Sequence, residues 1–160
     1  MAVSIAPVAE PPRRIPLDRA AFRWAGVEAK EYKSHAVDAA GMGWQAVTRH
    51  TIGPAGAAFE TRYFELEPGG YSSLEKHRHV HLVFAVRGRG RALVGDSVFD
   101  FEGLDAIYVP PLTPHRWLNA GDESFGFLCT VDAERDRPQP LDDDELAALR
   151  ANPATAPYAF

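Results

Sequence analysis

The sequence predicts an all-β domain, and three observations carry that prediction. From Phe59 onward, short runs rich in branched and aromatic residues alternate with turn signals: "FETRYFEL", "PGG", "LVFAV", "RGRG", "RALVG", "DSVFDFEG", "AIYVPP" and "FGFLCTV". The turns recur roughly every eight to twelve residues, the rhythm of a sandwich or barrel. A helical pattern is confined to the end of the chain, in "LDDDELAALRANP".

Taken in chain order, residues 1–20 read as an arm. Pro7, Pro11, Pro12 and Pro16 remove backbone donors and favour extended chain over helix. The barrel is expected over residues 21–135, with its most regular part at 59–131. A strand is expected at "WQAVTRHT", residues 44–51, and a loop at "GPAGAA", residues 53–58. Gly95-Asp96 is a hairpin turn signal. "RGRGR", Arg87 to Arg91, lacks the context of a phosphate-binding loop and reads as a strand-to-strand turn. Residues 136–160 form a tail with a short helix. Asp142 is its N-cap, the acidic first turn suits the helix dipole, Leu146 and Leu149 make a narrow apolar stripe, and Pro153 ends it.

Composition narrows the functions available. The 160 residues are 46% hydrophobic, enough for a single packed core, and carry a net charge of -5 with no Lys/Arg block to meet phosphate backbones. Nucleic acid is therefore not an expected partner. Cys129 is the only cysteine, which excludes an intrachain disulfide and a CxxC metal site. The N-terminus lacks the charge-then-apolar pattern of a signal peptide, and no apolar run approaches the ~20 residues that span a bilayer. The expectation is a cytoplasmic protein with no membrane partner.

Histidine is where the sequence becomes specific. Three of the six histidines fall in "YSSLEKHRHVHLVFAVRGRG", Tyr71 to Gly90, where Glu75, His77, His79 and His81 occupy alternate positions. Imidazole nitrogen and carboxylate oxygen are the donors that suit divalent transition metals. On one straight strand Glu75 and His81 would lie ~20 Å apart, at about 3.3 Å per residue. Sharing an ion requires the chain to turn between His77 and His81, and it requires a further donor. "IYVPPLTPHRWLN", Ile107 to Asn119, supplies one: His115, approached through Pro110, Pro111 and Pro114.

These two segments resemble the paired motifs of the cupin superfamily, G-x5-H-x-H-x3-E-x6-G and G-x5-P-x-G-x2-H-x3-N. The first motif's spacing runs from Gly69 through Glu75, His77 and His81 to Gly88, with glutamate and histidine exchanged at the outer ligand positions. The second runs from Pro110 through His115 to Asn119, with Leu104 and Leu112 in place of its glycines. The resemblance implies a cupin-type jelly-roll β-barrel and a metal set of Glu75, His77, His81 and His115. A second alignment takes His77-Arg78-His79 as the H-x-H pair, which leaves Val83 or Phe84 at the acidic position and a three-histidine site. Under the first alignment His79 is a turn residue.

The resemblance further implies one divalent transition metal per chain, with iron foremost and manganese, nickel, zinc or copper compatible. It implies an enzyme acting on a small organic molecule, foremost a dioxygenase-type oxidoreductase. The alternatives are a non-redox lyase or isomerase, a non-catalytic ligand-binding domain and a barrel that holds its metal for stability alone. A homodimer is expected on the same ground. Tyr63, Trp117 and Cys129 are the candidate substrate contacts: Tyr63 on the strand before the motif, Trp117 on the face of His115, and Cys129 within an alternating run. His35 and His50 stand in no pattern.

Overall fold

The computed structural model describes residues 10–32 and 43–160; residues 1–9 of the expected arm, and His35, lie outside the described residues. Strands β1 (Leu17–Asp18) and β2 (Arg23–Trp24) form a small hairpin that straddles the expected limit of the arm. The barrel then follows as β3 (Ala29–Glu31), β4 (Gln45–Ile52), β5 (Phe59–Tyr71), β6 (Glu75–Lys76), β7 (His81–Arg87), β8 (Arg89–Val94), β9 (Ser97–Glu102), β10 (Ala106–Val109), β11 (His115–Asn119), β12 (Phe125–Asp132) and β13 (Gln139–Pro140). Pairing is antiparallel throughout. One wall runs β3-β4-β5-β12-β7-β10 and the other β9-β8-β11-β6-β13. Long β5 belongs to both, since its last residue, Tyr71, pairs with Leu118 of β11. The result is the expected all-β jelly-roll barrel.

Glycine sets where the chain changes wall. Gly69 bends β5 at φ 76, and Gly88, between β7 and β8, sits at φ 61. A Cβ at Gly88 would lie 2.4 Å from the Ser124 carbonyl oxygen, so no larger residue fits without moving the backbone. Leu104 and Leu112, which replace the glycines of the second motif, keep the backbone that glycine would adopt, at φ 72 and 57. Those loop shapes therefore survive the substitution, at the cost of two leucines in the left-handed region.

Strand alternation fills the interior. Phe64 and Leu66 of β5, Val83 and Ala85 of β7, Trp117 of β11, and Phe125, Phe127 and Val131 of β12 form one core. Tyr63 and Glu65 point the other way, to the outer face of β5, where the β1–β2 hairpin covers them. A second apolar cluster joins Leu74 and Leu93 to Leu149 and Ala159, with Leu146 packed against it. Helix α1 (Asp143–Ala151) is capped as its sequence predicts: the Asp142 side chain accepts from the Glu145 amide, and the Glu145 carboxylate accepts from the Asp142 amide. Arg116, buried on the outer face of β11, donates to the Tyr158 and Phe160 carbonyls and holds the tail in place.

Two substitutions test this backbone account. Gly88→Ala should lower stability by about 2–4 kcal/mol, combining left-handed strain with a backbone clash. Leu104→Gly, at an exposed position, should leave stability unchanged or raise it by up to about 1 kcal/mol, since relieved strain offsets glycine's greater chain entropy. Urea denaturation measures both; an alanine tolerated at 88 contradicts the account.

Candidate metal centre

The turn required between His77 and His81 is present. β6 ends at Lys76, residues 77–80 form an irregular turn, and β7 begins at His81. Two contacts hold this turn. The Leu112 amide donates to the His77 carbonyl at 2.7 Å, joining the proline-rich loop to the histidine turn. The Asp136 carboxylate accepts from the Arg78 and His79 amides and from His79 Nδ1, at 2.7, 3.1 and 2.8 Å. His115 opens β11 and lies directly across from Glu75. Segments some 40 residues apart in sequence thus arrive at one cavity.

The cavity has a volume of about 330 Å³. Glu75, His77, His79, His81 and His115 line one part of it, Tyr32, Trp44, Phe64, Trp117 and Phe127 supply aromatic walls, and Glu60, Arg62, Cys129, Arg135, Asp136 and Arg137 add to the polar lining. One nitrogen from each of His77, His81 and His115 lies within 4.8 Å of the others, and all three residues are buried. Second contacts fix two of the rings. His77 Nδ1 donates to the His79 carbonyl at 2.8 Å, and His115 Nδ1 donates to the Thr113 carbonyl at 2.9 Å. A carbonyl can only accept, so the proton sits on Nδ1 of both neutral rings and Nε2 is left as the lone-pair nitrogen. His77 Nε2 is buried and has no hydrogen-bond partner. Such an orphaned acceptor costs about 1–3 kcal/mol unless something binds it.

Burial also sets the charge state. It lowers the pKa of His77 and His115 to about 4, assisted at His77 by the neighbouring His115 and His79 rings, and it lowers His81 still further. All three imidazoles are neutral at pH 7, the form that binds metal. Asp136 behaves in the opposite sense. Burial would raise its carboxyl, but the bonds from Arg78 and His79 outweigh that and hold it below the ordinary range. A divalent ion of N/O preference fits this donor set: neutral imidazoles, one orphaned lone pair, and a carboxylate at hand.

Not every candidate residue meets the cavity in the same way. Glu75 lines it and accepts a hydrogen bond from the Ser73 hydroxyl, outside the three-histidine group. His79 is in the turn, as expected, but it is more than a spacer. Its ring stacks on His77 at 3.6 Å, and its Nε2 stands within hydrogen-bond distance of Nε2 of His81, at 3.2 Å. Trp117 and Cys129 line the cavity. Tyr63 does not: it is wholly buried on the opposite face of β5, and its hydroxyl donates to Glu65 at 2.7 Å. Glu65 is also held by Arg87 and Arg23, so Tyr63 serves a buried ion cluster beneath the hairpin.

Sequence reasoning passed over Arg62, Arg135 and Asp136. Arg62 carried a signal, since it alternates with Phe64 and Leu66 and so shares the core-facing parity of β5. Nothing local marks Asp136, which lies 57 residues from the ring it orients.

Comparison with known proteins agrees with this architecture. The Cupin domain family model matches residues 62–131. A Rhodospirillum rubrum protein named 1-methylthio-D-xylulose 5-phosphate methylsulfurylase is 40% identical over 138 residues, covering 86% of this chain and 86% of that protein. The crystal structure of a cupin 2 conserved barrel domain protein from Rhodopseudomonas palustris superposes with a TM-score of 0.81 at 37% identity, over 91% of this chain and 98% of that one. A cupin-2 domain structure from Rhodospirillum rubrum gives 0.77 at 39% identity, over 92% and 96%.

The depressed histidine pKa values fix a pH dependence for metal-free protein. Unfolded histidine binds protons below about pH 6.5, whereas buried His77 and His115 resist protonation down to about 4. Stability should thus be full above about pH 6.5 and fall progressively as the pH drops toward 4. Thermal melting of chelator-treated protein across that window measures it, and His115→Gln should flatten the slope. A melting temperature that rises on acidification contradicts the assignment.

Proposed function

The chain belongs to the cupin superfamily, and we propose that it is a metal-dependent enzyme acting on a small phosphorylated, sulfur-bearing sugar of the kind for which its Rhodospirillum relative is named. The observation that carries the metal half of this reading is the convergence of three neutral imidazoles, one with an orphaned buried nitrogen, on a cavity of small-molecule size. The substrate half rests on 40% identity extending over 86% of both chains. His77, His81 and His115 would hold the ion, with the free oxygen of Glu75 as fourth donor. The bound ion would supply Lewis-acid or redox chemistry at positions left open by the protein.

The chain's own residues do the rest. Trp44, Phe64, Trp117 and Phe127 give the substrate an apolar wall and exclude water from it. The carbonyls of His79 and Thr113 fix ring orientation through Nδ1, the outer-contact arrangement that aims metal-ligating histidines. The Cys129 thiol lies 3.4 Å from His81 Nδ1 and faces whatever occupies the cavity, its pKa pushed up by burial and drawn back by Arg62.

A dioxygenase-type oxidoreductase is the second reading. It is favoured by the donor set, since three imidazoles and one carboxylate suit iron and leave room for oxygen beside a substrate. Iron is the metal proposed under that reading, while manganese, nickel, zinc or copper fits a redox-neutral reaction.

One set of measurements decides between them. Protein purified without chelator should contain about one transition-metal ion per chain and should bind 1-methylthio-D-xylulose 5-phosphate in calorimetry. His77→Ala and His115→Ala should lose most of the metal and weaken binding at least tenfold, and His79→Ala should do much less. Metal-loaded protein that ignores the compound contradicts the first reading, and oxygen uptake with a substrate assigns the second. Equal metal loss in all three variants makes His79 a ligand.

A further inference from the structure

Arg62 is a buried cation without an ionic partner among the described residues. It is 7% exposed and projects into the cavity from β5. Its Nε is buried and unbonded, and Nη2 reaches only the Cys129 thiol, at 3.5 Å. The guanidinium also lies over the Phe64 ring, a contact that leaves its in-plane donors free. The neighbouring acids are otherwise engaged. Glu60 is held by Arg135 at 2.9 Å, Asp136 by His79 and two backbone amides, and Glu75 by Ser73. Burying a guanidinium with its donors unused is strongly unfavourable, so the arrangement is economical only when an anion enters the cavity.

The position of the group indicates what that anion belongs to. Cys129 touches both Arg62 and His81, so the guanidinium stands one side chain away from the histidine cluster. Arg135 and Arg137 line the same cavity near Asp136, and Arg137 is exposed with no polar partner among the described residues. A planar fork of N–H donors matches two oxygens of a phosphate. We propose that Arg62 is the anion-recognition residue of this cavity and takes the phosphate group of a phosphomonoester substrate, while Arg137 draws the anion toward the mouth. The proposal deepens the reading of this cavity as a substrate site and rests on it, but it needs no particular metal or reaction.

Calorimetric titration of the full chain with inorganic phosphate tests it, in metal-loaded and metal-stripped protein, with acetate as the carboxylate comparison. Phosphate should bind both forms, and more tightly than acetate. Arg62→Met should weaken phosphate binding at least tenfold with metal content unchanged, and Arg62→Lys should fall between. Phosphate binding that needs the metal, that survives Arg62→Met, or that is weaker than acetate binding overturns the proposal. Should Arg62→Met fail to fold, wild-type crystals soaked in phosphate decide. Phosphate oxygens on the Arg62 guanidinium support the assignment, and phosphate seated only elsewhere rejects it. Wild-type protein that takes up no transition metal on reconstitution yet binds phosphate at Arg62 would sink the metal reading and leave this one standing.

Discussion

The constraint on which the rest of the structure depends is the burial of three imidazoles packed against one another. Charged, they would repel one another in a poorly solvated space. Neutral, they present lone pairs that still need partners in that space. The protein fixes the neutral state through burial and fixes ring orientation through the carbonyls of His79 and Thr113. What remains is an inward-facing nitrogen on His77 with nothing to bond. A divalent cation would relieve all of this at once, making the same set of contacts favourable when filled.

Much of the remaining architecture holds those rings in register. Gly69 and Gly88 let the chain pass from one wall to the other on either side of the histidine turn. The Leu112 amide ties the proline-rich loop to His77, and the post-β12 residue Asp136 clamps the turn through the Arg78 and His79 amides. Two elements far from the cavity close the outer surfaces of the walls: the β1–β2 hairpin over Tyr63 and Glu65, and the C-terminal tail over Arg116. In both places a buried charge on the back of a strand is matched by groups from a distant segment. The barrel could not otherwise keep Glu65 or Arg116 dry.

The strand rhythm, the turn at Gly95-Asp96 and the capped helix were legible because each is written in local chemistry: alternation, a glycine turn, and an acid before an amphipathic run. The histidine turn was legible from distance alone, since a straight strand could not bring Glu75 near His81. Face assignment on β5 was not. Sequence reasoning made Tyr63 a cavity residue and passed over Arg62, yet the arginine points inward and the tyrosine points to the covered outer face. Amphipathic reasoning assumes one wet face, and the β1–β2 hairpin dries the second one. Its strands are two residues long and owe their existence to Phe22 and Trp24 packing on Tyr63 and His50. Cys129 likewise showed no cation nearby in sequence, because Arg62 is its partner across the strand pair, 67 residues away.

X-ray absorption at the metal edge, on protein reconstituted with a single stoichiometric metal, reads the coordination sphere directly. The account requires three imidazole nitrogens in the first sphere together with oxygen donors, and the loss of one imidazole in His115→Ala. A sphere with one imidazole or none, or one that is unchanged in that variant, would show that the three rings are packed together for some other purpose.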